Sequence, residues 1–98
     1  MIKHIVFWNL KDEAEGKTKL ENSIIIKERL EALVGQIDGL LSAQVGINFN
    51  EKGMDLCLVS EFESKEALEF YQGHPLHDAV RQYVHKVVDA RAVVDYEM

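Results

Sequence analysis

Hydrophobic residues fall in a series of separate stretches, each with the period of a strand or a helix. Ile2–Leu10 carries apolar residues at both parities, which predicts a strand covered on both faces. From Leu20 to Ile37 apolar residues recur mostly at three- and four-residue steps, which predicts an amphipathic helix. The predicted buried face of this helix consists of Leu20, Ile24, Ile26, Leu30, Leu33 and Ile37.

The middle of the chain has the period of two that is typical of half-buried strands. It predicts strands at Leu41–Phe49 and Met54–Phe62, joined by a hairpin turn at Asn50–Gly53. In the first of these strands the odd-numbered residues are the apolar ones, so we expect them in the core. They are Leu41, Ala43, Val45, Ile47 and Phe49.

The C-terminal part predicts a helix that stops and then starts again. Ser64 is a good N-cap, and the helix that follows it is expected to break at Gly73, because glycine favours a helix end. Pro75 suits the first position of a second helical piece, which is expected to run to about Val84. A last strand is predicted at Lys86–Tyr96.

This order of elements, β-α-β-β-α-β, predicts an α+β protein with a ferredoxin-like fold, a four-stranded antiparallel sheet with its helices on one face. Residues 1–98 are expected to form a single domain. Because the first and last strands are apolar on both faces, the sheet face without helices needs a cover. We expect a second copy of the same sheet to provide it, which gives a homodimer with a barrel-like interior, a dimeric α/β barrel.

The composition of the chain argues against several classes of partner and location. The net charge is −6, from 17 acidic against 11 basic residues, which argues against nucleic acid and anionic membranes as partners. No stretch approaches the roughly 20 apolar residues of a membrane span. The single cysteine, Cys57, excludes an internal disulfide, and the N-terminus shows no signal-peptide pattern. We therefore expect a cytoplasmic protein.

The segment Tyr71–His77 carries the most chemistry, since it combines a phenol and two imidazoles with a proline. The helix break should let His77 face a cleft, and a histidine with its ordinary pKa of about 6.5 can accept a proton near neutrality. His4 lies in the apolar first strand, where an imidazole needs a partner to offset its desolvation. Tyr71 can donate a hydrogen bond to a developing enolate, although it is equally suited to the core. These three residues are the candidate catalytic groups.

A ligand pocket is expected to include Trp8, Phe62 and His74, although each also suits a structural role, His74 as a helix N-cap. His74 and His77 with Asp78 have a spacing that can bind zinc, but Pro75 between them disturbs the geometry. No metal site is therefore predicted. No residue pattern requires a cofactor either, and a glycine-rich phosphate loop is absent from the sequence.

A resemblance to a known family rests on segments found in order along the chain: Met1–Phe7, Val45–Phe49, Ser60–Ser64, Tyr71–His77 and Arg91–Tyr96. They are similar to the corresponding segments of the stress-responsive dimeric α/β-barrel (Dabb) domains. The resemblance covers essentially the whole chain and implies a ferredoxin-like homodimer, as the hydrophobic pattern does.

The family also suggests a chemistry. One plant member is a polyketide cyclase that closes an aromatic ring by aldol condensation without a cofactor. The resemblance implies that its working residues correspond to His4, Tyr71 and His77 here. The same motif is widespread in the family, so it identifies the family better than the activity.

Three functions remain open on the sequence. The first is a stress-linked, non-catalytic homodimer that binds a small apolar or carbonyl-containing ligand. The second is a cofactor-free cyclase, isomerase or lyase that uses enol chemistry at His4, Tyr71 and His77. The third is a purely structural module. The deciding observation is whether a pocket joins the first strand to the region around His77.

Overall fold

The computed structural model describes the whole chain, from Met1 to Met98. Four long strands, three helices and a two-stranded ribbon make up the fold. In chain order the elements are β1 (Ile2–Leu10), β2 (Glu13–Ala14), β3 (Lys17–Thr18), α1 (Lys19–Glu31), β4 (Leu40–Ile47), β5 (Leu56–Phe62), α2 (Lys65–Gln72), α3 (Pro75–Val87) and β6 (Val88–Glu97).

The long strands form one sheet in the order β4-β5-β1-β6, and every neighbouring pair is antiparallel. The helices cover one face of this sheet, so the α+β, ferredoxin-like prediction is confirmed. The even-numbered residues of β1 face the helices and are buried, whereas the odd-numbered ones are only half-buried. The core joins those residues of β1 to apolar residues of all three helices, such as Ile26, Leu68 and Val84.

The opposite side of the sheet, called the open face below, has no helix over it. Ile5 of β1 marks this face, because it lies between Val59 of β5 and Val94 of β6 in the strand register. Val94 is 52% exposed, and its neighbour on the same face, Tyr96, is 44% exposed. The open face is therefore apolar and incompletely covered in a single chain.

The first helix differs from the prediction in its length and in its buried face. It ends at Glu31 rather than Ile37, and a run of turns containing two positive-φ glycines follows it. Leu20 and Ile24 are exposed, whereas Asn22 and Ser23 are buried. Burying these polar side chains costs little because both are hydrogen-bonded. Asn22 donates to the Ala14 carbonyl at 3.1 Å and accepts from the Tyr83 hydroxyl, and Ser23 donates to the Lys19 carbonyl at 2.8 Å.

The second long strand, β4, differs from the predicted strand in where it begins and ends and in which of its residues face the core. It runs from Leu40 to Ile47, so the prediction that Phe49 is a core residue was wrong, because Phe49 is 99% exposed beyond the strand end. The register shifts between Leu40 and Ser42, which inserts an extra residue and turns Leu41 outward while Leu40 enters the core. Val45 is buried as predicted. The connection to β5 is also longer than the predicted turn.

The break between the last two helices is confirmed. Gly73 is the C-cap of α2, and Pro75 occupies the start of α3. α3 continues to Val87, three residues beyond the predicted Val84. As a result, His85, which falls between the predicted helix and the predicted last strand, lies in the last turn of α3, on the same side of the helix as His77.

Candidate functional site

A cavity of about 610 Å³ lies between α3 and the neighbouring strands β1 and β6. Its apolar wall is formed by side chains of α1, α3 and the sheet. These include Val6, Trp8, Leu30, Leu58 and Val84. The polar groups that line it come mainly from α3, β1 and the start of β6: His4, Gln72, His77, Arg81, His85, Asp89 and Arg91.

His4 enters this cavity from the centre of the sheet and is only 4% exposed. Its Nδ1 is paired with a carboxylate oxygen of Asp95, the residue directly opposite it on β6. A carboxylate accepts a hydrogen bond, so it holds the imidazole proton on Nδ1 and leaves Nε2 as the nitrogen that can meet a ligand. The backbone carbonyl of His4 also accepts a hydrogen bond from the buried Ser60 hydroxyl at 3.1 Å. The first contact orients the ring, and the second holds the backbone that carries it.

His77 lies on the first turns of α3 and lines the same cavity. Burial, its largest effect, lowers the pKa of His77 below the usual 6.5; the charges of Arg81 and His4 act in the same direction, and the Gln72 backbone opposes them. Its Nδ1 is buried without a hydrogen-bond partner. The lowered pKa favours the neutral form of the ring, and Nδ1 has a hydrogen-bonding capacity that the protein does not use.

Tyr71 packs its ring against the His77 imidazole and is not part of the cavity lining. Its ring centroid is 4.2 Å from that of His77 and 4.9 Å from that of Phe62. The side chain is 2% exposed, and burial raises the pKa of Tyr71 to about 12. A phenol in this position stays protonated and acts on His77 through ring packing.

The remaining residues of the expected pocket separate into one that lines the cavity and two that do not. Trp8 is part of the lining. Phe62 is completely buried in the core. His74 is the N-cap of α3, where its Nδ1 accepts a hydrogen bond from the Leu76 N–H at 3.1 Å. Of the predicted pocket residues only Trp8 therefore lines the cavity, while Phe62 belongs to the core and His74 caps α3.

Sequence reasoning missed Asp95 and the two arginines of the cavity. Asp95 meets His4 only because β6 pairs with β1 in one particular register, and no sequence pattern determines that register. Arg81 had a signal, since it follows His77 at the four-residue spacing that places side chains on the same side of a helix. Arg91 lies opposite Trp8 and again depends on the strand register.

No group of three or more His, Cys, Asp or Glu side chains is placed to hold a metal ion. Asp78, the third member of the sequence grouping with His74 and His77, instead forms an ion pair with Arg81 and accepts a hydrogen bond from Gln82. None of the helices has an apolar stretch of the length that a bilayer crossing requires.

The fold and cavity define a ferredoxin-like α+β protein with a pocket between its helices and its sheet. Solved structures share this architecture over nearly the whole chain. A dimeric ferredoxin-like protein of unknown function from Bacteroides fragilis is 32% identical, with a TM-score of 0.83 over 99% of this chain and 95% of that one. A protein of Arabidopsis thaliana is 24% identical, with a TM-score of 0.83 over 100% of this chain and 95% of that one.

The sequence profile of the Stress responsive A/B Barrel Domain (Dabb) matches residues 2–98, so the chain belongs to this family. A Dabb family protein from Mesorhizobium loti has a TM-score of 0.77 at 22% identity, over 99% of this chain and 95% of that one. A search of the curated proteins found no match to the chain.

Proposed function

We propose that the protein is a homodimer in which each subunit binds one small carbonyl-containing molecule in the cavity between α3 and the sheet. The observation that supports this is the meeting of His4 and His77, far apart in sequence, in one cavity with an apolar wall. A volume of about 610 Å³ suits a small organic ligand, since such pockets commonly measure roughly 300–1,000 Å³. Two imidazoles provide hydrogen bonds that can orient a carbonyl oxygen.

The dimer is supported by the open face and by related structures. Similar proteins from Bacteroides fragilis, Thermobifida fusca and Jannaschia are described as dimeric. In this chain Val94 and Tyr96 leave apolar area exposed on the sheet face opposite the cavity. Pairing two open faces would remove that area from water and would leave the two cavities on the outer, helical sides.

Ligand binding can be tested with methyl 3-oxooctanoate, a neutral compound with a ketone and a short apolar chain. We expect it to shift the NMR signals of the His4 and His77 rings and to give a saturable heat in titration calorimetry. Replacing His4 or His77 by Ala should weaken binding about ten-fold, the effect of one or two lost hydrogen bonds. Lys52→Ala, a change in the exposed β4–β5 connection, is the matched control. Unchanged ring signals at saturating ligand would reject the binding site.

The pairing of His4 with Asp95 specifically favours a second candidate, a cofactor-free enzyme that works through an enol. Nε2 of His4 would take a proton from the carbon next to the carbonyl, and the electrons of that C–H bond would form a C=C bond. The carbonyl electrons would move onto oxygen, where His77 would donate a hydrogen bond to the enolate. Tyr71 would act by positioning the His77 ring. With an unsaturated ketone the enolate is a dienolate, and return of the proton to its γ carbon gives isomerisation; attack of the enolate carbon on a second carbonyl, followed by loss of water, closes a ring.

This activity can be tested by the exchange of α-hydrogens of 2-octanone for deuterium in D2O. The enzyme hypothesis expects exchange well above that caused by the same concentration of free imidazole. His4→Ala should lower the rate of exchange catalysed by the protein about a hundred-fold or more, which is the usual contribution of a general base. Tyr71→Phe retains the ring packing and should keep most of the activity. Exchange no faster than with free imidazole would leave the protein as a binding domain.

A further inference from the structure

The helical wall of the cavity has a polar group on every turn. His77, Arg81 and His85 recur at four-residue spacing on α3, so they share one side of the helix and span about 12 Å along its axis. The N–H of Lys11 donates to the carbonyl of Val87 at 2.9 Å, which fixes the end of α3 beside the end of β1. The cavity therefore runs lengthwise between α3 and β1.

The cavity-lining residues of the sheet are spread along the same direction as those of α3. His4 lies opposite Asp95, and Trp8 lies opposite Arg91, in the pairing of β1 with β6. The two pairs are four positions apart along β1, which corresponds to about 13 Å. His4 and His77 both line this cavity. His4 and His77 thus mark one end of the cavity, and Trp8 and Arg91, with His85 near the end of α3, mark the other.

Charge distinguishes the two ends. Arg81 is already paired with Asp78, whereas Arg91 forms no salt bridge. Asp89 is the only acidic residue of the lining, and it also borders a second, smaller concavity. A guanidinium without a carboxylate partner is suited to bind a planar anion with two parallel hydrogen bonds.

We propose that the ligand is an oxo-carboxylate, with its carboxylate on Arg91, an apolar chain along Trp8 and Val6, and its carbonyl at His4 and His77. This inference rests on the proposed function, because the carbonyl end is the one assigned there. The separation of the two ends favours a chain of several carbons between carbonyl and carboxylate over a compact 2-oxo or 3-oxo acid.

The test compares 4-oxopentanoate, 7-oxooctanoate and 9-oxodecanoate with their methyl esters by titration calorimetry at low salt. We expect the carboxylates of the longer compounds to bind more tightly than their esters. Arg91→Gln should weaken 7-oxooctanoate about five-fold and leave its ester unchanged, a modest effect because Arg91 is exposed to solvent. Asp89→Asn should strengthen carboxylate binding, and Lys52→Gln, which removes a positive charge from a residue outside the cavity lining, should change neither.

The outcomes separate this inference from the proposed function. Binding of esters and carboxylates with equal affinity, or an Arg91→Gln variant that binds carboxylates as the wild type does, overturns the assignment of Arg91 and leaves the carbonyl site standing. If no member of the series shifts the ring signals of His4 and His77, both proposals fail. A carboxylate preference that disappears in Arg91→Gln and weakens with added salt supports the oxo-carboxylate.

Discussion

At the scale of single residues, the pair of His4 and Asp95 joins a buried imidazole to a carboxylate that is partly in water. The side chains are 5% and 41% exposed, respectively. Because His4 is buried, the pair satisfies a ring N–H that would otherwise lack a partner, whereas the solvation of Asp95 reduces the contribution of the charges to the free energy of unfolding. The main effect of the pair is on the position of the imidazole proton. The chemistry available to His4 is therefore set by a residue on another strand.

Replacing Asp95 by Asn should change the tautomer of His4 with little effect on the fold. In the wild type we expect the Nδ1–H form, because the carboxylate can only accept a hydrogen bond. An amide can donate or accept, so the variant should show both tautomers in 15N NMR spectra of the ring. Asp38→Asn, in an exposed turn, is the control. An unaltered tautomer in Asp95→Asn would contradict the assigned role of the carboxylate.

His77 should make stability depend on pH in one direction. Its pKa is lowered in the folded chain, mainly by burial, so the unfolded chain binds this proton more readily. The stabilisation is complete above the unfolded value of about 6.5 and is lost as the pH falls through the folded-state value. Urea unfolding at pH 7, 6 and 5, at constant protein concentration, should show a steeper acid loss in the wild type than in His77→Asn. Parallel pH profiles would show that His77 is solvated.

At the scale of elements, the connection from α1 to β4 was the least predictable part of the chain. The apolar spacing continues to Ile37, and Leu33 and Ile37 are indeed buried, but they reach the core from turns. Gly35 and Gly39 both have positive φ, at +87° and +88°. Hydrophobic spacing records which residues are buried, and it does not distinguish a helix from a series of turns that buries the same residues.

The two glycines give a matched test of this connection. A Cβ at Gly35 would meet nothing within 4 Å, whereas a Cβ at Gly39 would lie 2.5 Å from the Cβ of Ala67 on α2. Gly35→Ala should cost about 1 kcal/mol of unfolding free energy from the left-handed backbone alone. Gly39→Ala should cost about 2–4 kcal/mol, because crowding against α2 adds to that strain. Chemical denaturation of both variants measures the difference, and equal losses would mean that α2 moves freely away.

At the scale of the whole molecule, the open face is an apolar surface that a single chain leaves incompletely covered. Its exposed residues continue the apolar pattern of the core on the side of the sheet that has no helices. Small domains bury a limited share of their surface, so the proposed pairing with a second sheet would add stability by covering this face. The cavity and the open face lie on opposite sides of the sheet.

Val94→Lys should therefore convert the proposed dimer to a monomer, because it places a charge on the open face within the proposed interface. Light scattering at micromolar concentration should give twice the chain mass of 11.2 kDa for the wild type and the single-chain mass for the variant. Val34→Lys, on an exposed residue in the turn after α1, should remain dimeric. A wild-type monomer would refute the proposed assembly.

The sequence by itself determined the order of the long strands and helices but not the β2–β3 ribbon, together with the helix break at Gly73 and Pro75 and the candidate imidazoles, because these depend on local spacing and backbone preference. Tertiary structure alone decided the parity shift at Leu40, the burial of Asn22, and the partners that surround His4. Each of these depends on strand register or on hydrogen bonds between segments far apart in the chain. A contact of this kind has no periodicity in the sequence, so it exists only once the strands have paired.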